Sequence, residues 1–355
     1  MKRAKIAIIA GDGIGPEVIA AGLPIIEAAA RVEGLALETE QLPYSADHFL
    51  ETGETLPDEA FEQLRDEADA ILVGALGDPR VPGNEHARDI LLGLRFRLDL
   101  YINFRPTHLF HPKLSPLRAD RRSDGGSTAI DFVIFRENTE GQYLGLGRSE
   151  SLGTPDEVHV SEEINSRKGV ARIIEAAFAW AEAQGKTRVT MSDKSNAIPF
   201  QRIWGRLFQE IGERYPAIQR EHRYVDALAL ELVREPERFQ VIVTPNLYGD
   251  ILSDLGAGLI GGMGIAASAN LHPGRPGLFE PVHGSAPTLV GKGVANPMAT
   301  VLSGALMLEQ LGCGAGARRL EGAVERVVAS GPLTPDLGGT GSTAAVAAAL
   351  AGALD

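Results

Sequence analysis

Short apolar runs alternate with longer helical ones along much of this 355-residue chain, and that alternation narrows its folding choices more than any other feature. Residues 4–10 read as a strand and 16–30 as a helix. Residues 70–73 are followed by a helical 87–98, and helical 170–183 by an apolar 188–191. Strands spaced by helices predict an α/β fold, because a parallel strand pair needs a crossover long enough to hold a helix. The length calls for one large or two ordinary domains. Two polar, turn-rich stretches break the order: 119–128 reads as a surface loop, and 149–157 as either a loop or a hairpin arm used in assembly. The Ala-rich tail at 343–354 reads as a packed terminal helix.

Composition excludes several functions. Cys313 is the only cysteine, which rules out an internal disulfide and a multi-cysteine zinc site and suits a reducing cytoplasm. The run Ile6-Ala7-Ile8-Ile9-Ala10 is too short for a secretory h-region and breaks at Gly11-Asp12-Gly13. No uninterrupted apolar stretch reaches the length of a bilayer span. A net charge of −13 repels phosphate backbones and anionic membrane surfaces. The expectation is a soluble cytoplasmic protein with no nucleic-acid or membrane partner, in which an anionic ligand needs a local cationic pocket.

Four segments carry chemistry. The apolar run 239–244 feeds into Asn246-Leu247-Tyr248-Gly249-Asp250-Ile251-Leu252-Ser253-Asp254. With a helix starting near Asp250, Asp250 and Asp254 share a face, where like charges repel unless a cation lies between them. Mg²⁺ or Mn²⁺ suits such a two-carboxylate platform; alternatively Asp250 caps the helix and Asp254 is a solvated charge. Gly11-Asp12-Gly13-Ile14-Gly15-Pro16 follows the first strand and opens a helix, but its glycines lack the G-x-G-x-x-G spacing of a Rossmann turn. It predicts a tight turn, serving either a ligand or geometry alone.

Arg95, Arg105 and Arg136 punctuate otherwise apolar elements. Guanidinium forks match carboxylates, so three converging arginines would make a dicarboxylate site; taken singly, each reads more readily as a structural ion-pair member. Tyr143 and Lys194 are candidate proton carriers or ordinary surface groups. Asp226 is a third metal ligand or a helix-start residue. The fourth segment runs from Glu280-Pro281-Val282-His283-Gly284-Ser285-Ala286-Pro287 to Asn296-Pro297, a glycine- and proline-punctuated loop suited to positioning a ligand.

Gly11–Pro16, Arg136-Glu137-Asn138-Thr139-Glu140-Gly141, Asn246 to Asp254 and His283 to Pro287, in this order, resemble the motifs of the isocitrate and isopropylmalate dehydrogenase family, metal-dependent decarboxylating dehydrogenases. The likeness runs from Gly11 to Gly339. It implies two α/β domains sharing a central sheet, not a Rossmann fold: residues 1–104 plus 256–355 bind the cofactor, and 105–255 supply the substrate, metal and dimer surfaces. It implies a homodimer with shared active sites, to which Lys194 and Asp226 come from the partner subunit.

Residue by residue, the resemblance makes Arg95, Arg105 and Arg136 the clamp on the malate moiety and Tyr143 and Lys194 the acid/base pair. Asp226 joins them as a catalytic residue and joins Asp250 and Asp254 as a ligand of Mg²⁺ or Mn²⁺. Asn196 belongs with the substrate contacts. Ile14, Glu280, His283, Gly284, Ser285, Ala286 and Asn296 become cofactor contacts, the adenine lying against the loop from His283 to Asn296. Thr288 departs from the pattern, since NAD-using relatives usually carry an acidic residue there and NADP-using isocitrate enzymes a Lys-Tyr pair. With no cation to match a 2′-phosphate, NAD is the expected cofactor.

The helix bearing Arg95 reads the substrate's third arm in this family. Leu91 and Leu92 offer it an apolar wall, where a charged arm would lose its partner. An isopropyl group fits, so 3-isopropylmalate is the expected 2-hydroxy acid. D-malate or tartrate is the alternative, ahead of homoisocitrate and isocitrate, because enzymes for those acids can show a similar Leu-Leu pair. Against isopropylmalate, Arg136 to Gly141 is commoner in the isocitrate, homoisocitrate and tartrate/D-malate branches, Ala197 stands where isopropylmalate enzymes often have valine, and Arg88 lies one turn from Leu92. A metal-dependent phosphotransferase would need a Walker loop, which is absent. A silent regulatory subunit would have lost some of these site residues, and all are present.

Overall fold

A computed structural model describes residues 2–117 and 129–354; the stretch read as a surface loop at 119–128 lies outside them. In chain order the elements are β1 (Lys2–Gly11), α1 (Gly15–Val32), β2 (Leu35–Leu42), α2 (Ala46–Thr52), α3 (Asp58–Glu67), β3 (Ala70–Ala75), α4 (Glu85–Arg97), β4 (Ile102–His108), β5 (Asp131–Glu137), β6 (Gly147–Glu150), β7 (Val158–Ser161), α5 (Arg167–Ala183), β8 (Arg188–Asp193), α6 (Arg202–Gly212), β9 (Gln219–Tyr224), α7 (Val225–Arg234), β10 (Val241–Thr244), α8 (Asn246–Ile260), β11 (Ala267–Leu271), β12 (Gly277–Pro281), α9 (Met298–Gln310), α10 (Gly314–Ser330) and α11 (Thr343–Gly352). Among the described residues no helix is long and apolar enough to cross a membrane.

The chain divides into two compact units. The first comprises Met1–Leu100, Arg105–Ala129 and Gly256–Asp355, the second Tyr101–Phe104 and Ile130–Leu255. Where the sequence suggested a boundary between 104 and 105, this division assigns the described residues from Arg105 to the first unit and Tyr101–Phe104 to the second, so that β4 contributes to both.

In the first unit the strand order is β2-β1-β3-β12-β11. β1 lies parallel to β2 and β3, β12 parallel to β3, and β11 antiparallel to β12. Both chain ends thus build this unit, and the antiparallel β11–β12 pair departs from the Rossmann order. The central strands are buried on both faces: Ile6, Ile8, Ile9, Ile71, Leu72 and Phe279 are at most 1% exposed. Each such side chain contributes on the order of 1.5–3 kcal/mol of apolar burial. Helix α9, buried almost throughout from Met298 to Leu308, packs against α1, α10, β11 and β12.

The second unit has the all-parallel order β5-β10-β8-β9, with α5 packed on β5, β10 and β8 and α6 beside it. Trp204 is buried in this core while its indole N–H donates to Asn165 Oδ1 at 2.7 Å. The stretch at 149–157 resolves as the tip of a hairpin: β6 and β7 pair antiparallel, from Gly147 opposite Ser161 to Glu150 opposite Val158.

Candidate active site

Strand register in the second unit brings its expected site residues together. Thr244, last residue of β10, lies opposite Arg136 on β5. The chain leaving β10 therefore starts α8 beside the Arg136 side chain. The helix begins at Asn246, not near Asp250, because Pro245 ends the strand and the first turn closes directly behind it, Gly249 N donating to Pro245 O. Asp250 accordingly sits inside the helix, one turn before Asp254, and is not its cap.

Arg136 is 2% exposed. Its Nε donates to Asn246 Oδ1 at 2.9 Å, its Nη1 pairs with Asp250 Oδ1, and the Asn246 amide donates to Glu140 O at 2.9 Å. Gly249 makes room for this, since a Cβ there would lie 2.5 Å from the Arg136 side chain. Tyr143, in the turn after β5, donates its hydroxyl to Asp250 Oδ2 at 2.6 Å, and its ring lies 5.2 Å from the Arg136 guanidinium. One carboxylate thus joins an expected metal ligand, an expected clamp arginine and an expected proton donor. Asn246 orients that arginine; its place between strand exit and helix was the only sequence signal for it.

A second register brings Lys194 to Asp226. Asp193 on β8 lies opposite Tyr224 on β9, so the residues following each strand meet, and Lys194 Nζ donates to Asp226 Oδ1. Asp226 occupies the first turn of α7, and the lysine's hydrogen bond holds its carboxyl below the usual value. Gln201, which carried no sequence expectation, fixes the Lys194 backbone N–H at 2.8 Å and donates to the Tyr248 hydroxyl at 3.1 Å. Asn196 is exposed.

The three carboxylates expected to share a metal do not gather within one copy of the chain: among the described residues no three His, Cys, Asp or Glu side chains are grouped to hold a metal ion. Asp250 and Asp254 still form an all-oxygen pair on one helix, the donor chemistry that hard divalent cations take with a third ligand and water. Asp226 is engaged with Lys194 instead.

The first unit holds the other residues. Arg95, in the last turn of α4, is buried and donates through Nη2 to Glu280 Oε1 at 2.7 Å, with Asn270 donating to the same oxygen at 3.0 Å. Burial acts to raise the Glu280 carboxyl, but Arg95, Arg105 and Asn270 together bring it below its ordinary value. Leu91 packs against the core cluster containing Ile90, Leu94 and Leu98, while Leu92 is half-buried and Arg88 exposed.

The tight turn after β1 meets the loop after β12. Ile14 N donates to Ser285 O at 2.9 Å, and Gly13, at φ +58°, approaches so closely that a Cβ would lie 2.0 Å from that oxygen. Ile14, Val18 and Ala295 form an apolar floor on which Ala286 and Leu289 pack. Ala286 is itself left-handed at φ 40°, a strained conformation for a residue with a Cβ. His283 Nδ1 lies 3.1 Å from Gly284 O, its buried Nε2 lacks a partner, and burial holds the imidazole below its ordinary value. A neutral ring with a vacant nitrogen, glycine-permitted backbone approach and an apolar floor fit a nucleotide's base and ribose. Asn296 is anchored by donating to Asp336 at 3.0 Å, and Thr288 is exposed.

The isocitrate/isopropylmalate dehydrogenase profile matches residues 5–350. The 3-isopropylmalate dehydrogenase of Thermobifida fusca is 44% identical over 323 residues, 90% of each chain. The decarboxylating D-malate dehydrogenase of Escherichia coli is 42% identical over 360 residues, 99% of this chain and 98% of its own. The crystal structure of isocitrate dehydrogenase from Methylococcus capsulatus superposes with a TM-score of 0.88 at 36% identity, covering 99% of both chains. With its motifs, its two α/β units and a match over nearly its whole length, the chain belongs to the isocitrate/isopropylmalate dehydrogenase family.

Proposed function

We propose that the chain catalyses the NAD-dependent oxidative decarboxylation of 3-isopropylmalate to 2-oxoisocaproate with Mg²⁺ or Mn²⁺, a step of leucine biosynthesis, as a homodimer with shared sites. The observation that carries this reading is the meeting of Arg136 and Tyr143 on Asp250. The relatives named 3-isopropylmalate dehydrogenase support the choice of substrate.

In this reading Arg95, Arg105 and Arg136 grip the substrate's carboxylates, each fork matching two oxygens. Asp250 and Asp254, with Asp226 of a second copy, would hold the divalent cation. Its charge, when bound, acidifies the C2 hydroxyl and stabilises negative charge developing on that oxygen. Lys194, acting with Asp226, accepts the hydroxyl proton; the dinucleotide, when bound, would supply the acceptor for the C2 hydride. The bond to the C3 carboxylate then breaks, CO₂ leaves, and the electron pair remains as the enolate. Tyr143 delivers a proton to the carbon that lost CO₂. Arg136 and Asn246 keep Tyr143 and Asp250 aligned throughout. Ile14, Glu280, the loop His283–Ala286 and Asn296 receive the dinucleotide, and the uncharged Thr288 favours NAD over its 2′-phosphate analogue.

D-malate is the second reading. The E. coli D-malate enzyme matches 99% of the chain, and Leu91 is directed to the core cluster, which leaves Leu92 as the apolar wall beside an exposed Arg88. NADH formation with Mg²⁺ or Mn²⁺ decides: 3-isopropylmalate is expected to give the highest kcat/KM among itself, D-malate, tartrate, isocitrate and homoisocitrate. D-malate winning would overturn the substrate, a clear preference for NADP the cofactor, and silence with all five the activity.

A further inference from the structure

Asp12, within the Gly11-Asp12-Gly13 turn, is 5% exposed and commits both carboxylate oxygens. Oδ1 accepts from the first N–H of α2, Ala46, at 2.6 Å. Oδ2 accepts from Gly77 N and from His86 Nε2, each at 2.7 Å. Because a carboxylate oxygen only accepts, Nε2 carries the imidazole proton in this contact. His86 is fully buried, its Nδ1 is without a partner, and its ring stacks on Phe49 at 6.1 Å. It is the second residue of α4, the helix that carries Leu92 and Arg95. The turn holding Asp12 is also the one whose Ile14 N–H binds Ser285 O. A single carboxylate therefore fastens α4 to the turn that meets the His283–Ala286 loop.

We propose that His86 is a positioning residue for the hydroxy acid: through Asp12 it sets the placement of α4, and with it the Arg95 guanidinium and the wall at Leu92. The proposal rests on the substrate roles given above to Arg95 and Leu92. A fork-to-carboxylate contact depends steeply on placement, and weakening it uniformly in ground and transition states raises KM with kcat unchanged. The consequence falls on the hydroxy acid, because the Ile14–Ser285 contact and the Ala46 and Gly77 donors to Asp12 do not pass through the imidazole.

His86→Leu keeps apolar volume and removes the donor, whereas His86→Gln restores an N–H at similar reach. In the leucine variant the KM for the hydroxy acid should rise about tenfold or more, with the KM for NAD and kcat within about threefold of wild type. The glutamine variant should return the KM to within about threefold. An unchanged KM, a parallel rise for both ligands, or failure of glutamine to rescue would each overturn the proposal. If the leucine variant does not fold, glutamine is compared with His86→Asn, which keeps the amide on a shorter arm: a raised KM in asparagine alone supports the proposal, and equal values overturn it. Wild-type turnover is measured first. If it is silent, calorimetric binding of NAD and of 3-isopropylmalate reads the same split, so failure of the assigned activity and failure of the His86 role remain distinct results.

Discussion

Arg95 and Glu280, 185 positions apart in sequence, form an ion pair at 2.7 Å in which each side chain is only 10% exposed. Removing one partner of such a pair strands a buried charge, which costs about 3–5 kcal/mol. Arg95→Leu or Glu280→Leu alone should therefore lower the unfolding free energy by about 3 kcal/mol, whereas the two combined should recover most of that loss without recovering turnover. Denaturant unfolding of the two single and the double variants checks it; additive losses would show that the charges are not coupled. The sign with pH follows from the lowered Glu280 carboxyl. Its stabilisation is complete above the unfolded value and disappears as pH falls through the lower folded one.

Tyr143 and Lys194 hydrogen-bond to different carboxylates, Asp250 and Asp226, so their substitutions should separate. Tyr143→Phe keeps the ring over Arg136 and removes the proton; kcat should fall about a hundredfold or more, with KM for the hydroxy acid changed far less. Lys194→Met should abolish turnover while light scattering still reports the wild-type assembly. Steady-state kinetics reads both, and retained activity in either variant would remove that residue from the chemistry.

Burial lowers the His283 imidazole from its ordinary value of 6.5. A folded histidine with a depressed value binds fewer protons than the unfolded chain, so its contribution to stability is complete above pH 6.5 and is lost as pH falls through the folded value. His283→Phe cannot titrate. Between pH 7.5 and 5, wild-type stability should fall more steeply than that of the variant, measured by unfolding at each pH; parallel curves would mean that the ring is not desolvated in the folded protein.

The elements were legible because their periodicity is local. The runs at 4–10, 70–73 and 188–191 became β1, β3 and β8, and 87–98 and 170–183 became α4 and α5 with ends shifted by a few residues. The start of α8 was misplaced because Asp250 is a good capping residue in isolation, whereas Pro245 and the engagement of Asn246 with Arg136 put the first turn four residues earlier. Motif spacing led to Asp250, Tyr143 and Arg136. It did not reveal that Arg136 crosses the helix at Gly249, which depends on strand register. The Asp12–His86 and Arg95–Glu280 contacts join residues 74 and 185 positions apart, and such pairings leave no periodic trace. Gly13 looked like a generic turn glycine until the Ser285 carbonyl was found against it.

Within one chain Lys194 is bound to Asp226, while Tyr143 is bound to Asp250. If each active site takes its lysine from one copy and its tyrosine from the other, two dead variants should complement. A dimer of one Lys194→Met copy and one Tyr143→Phe copy contains one site with both wild-type residues and one with neither. Random mixing makes about half the dimers mixed, each with one working site of two, so activity should recover to about a quarter of wild type. The two variants are unfolded together, refolded and assayed for NADH formation, with each variant refolded alone as the control. Recovery near a quarter fits sites shared across a two-fold dimer, and no recovery in refolded dimers would place Lys194 and Tyr143 in the same copy's site.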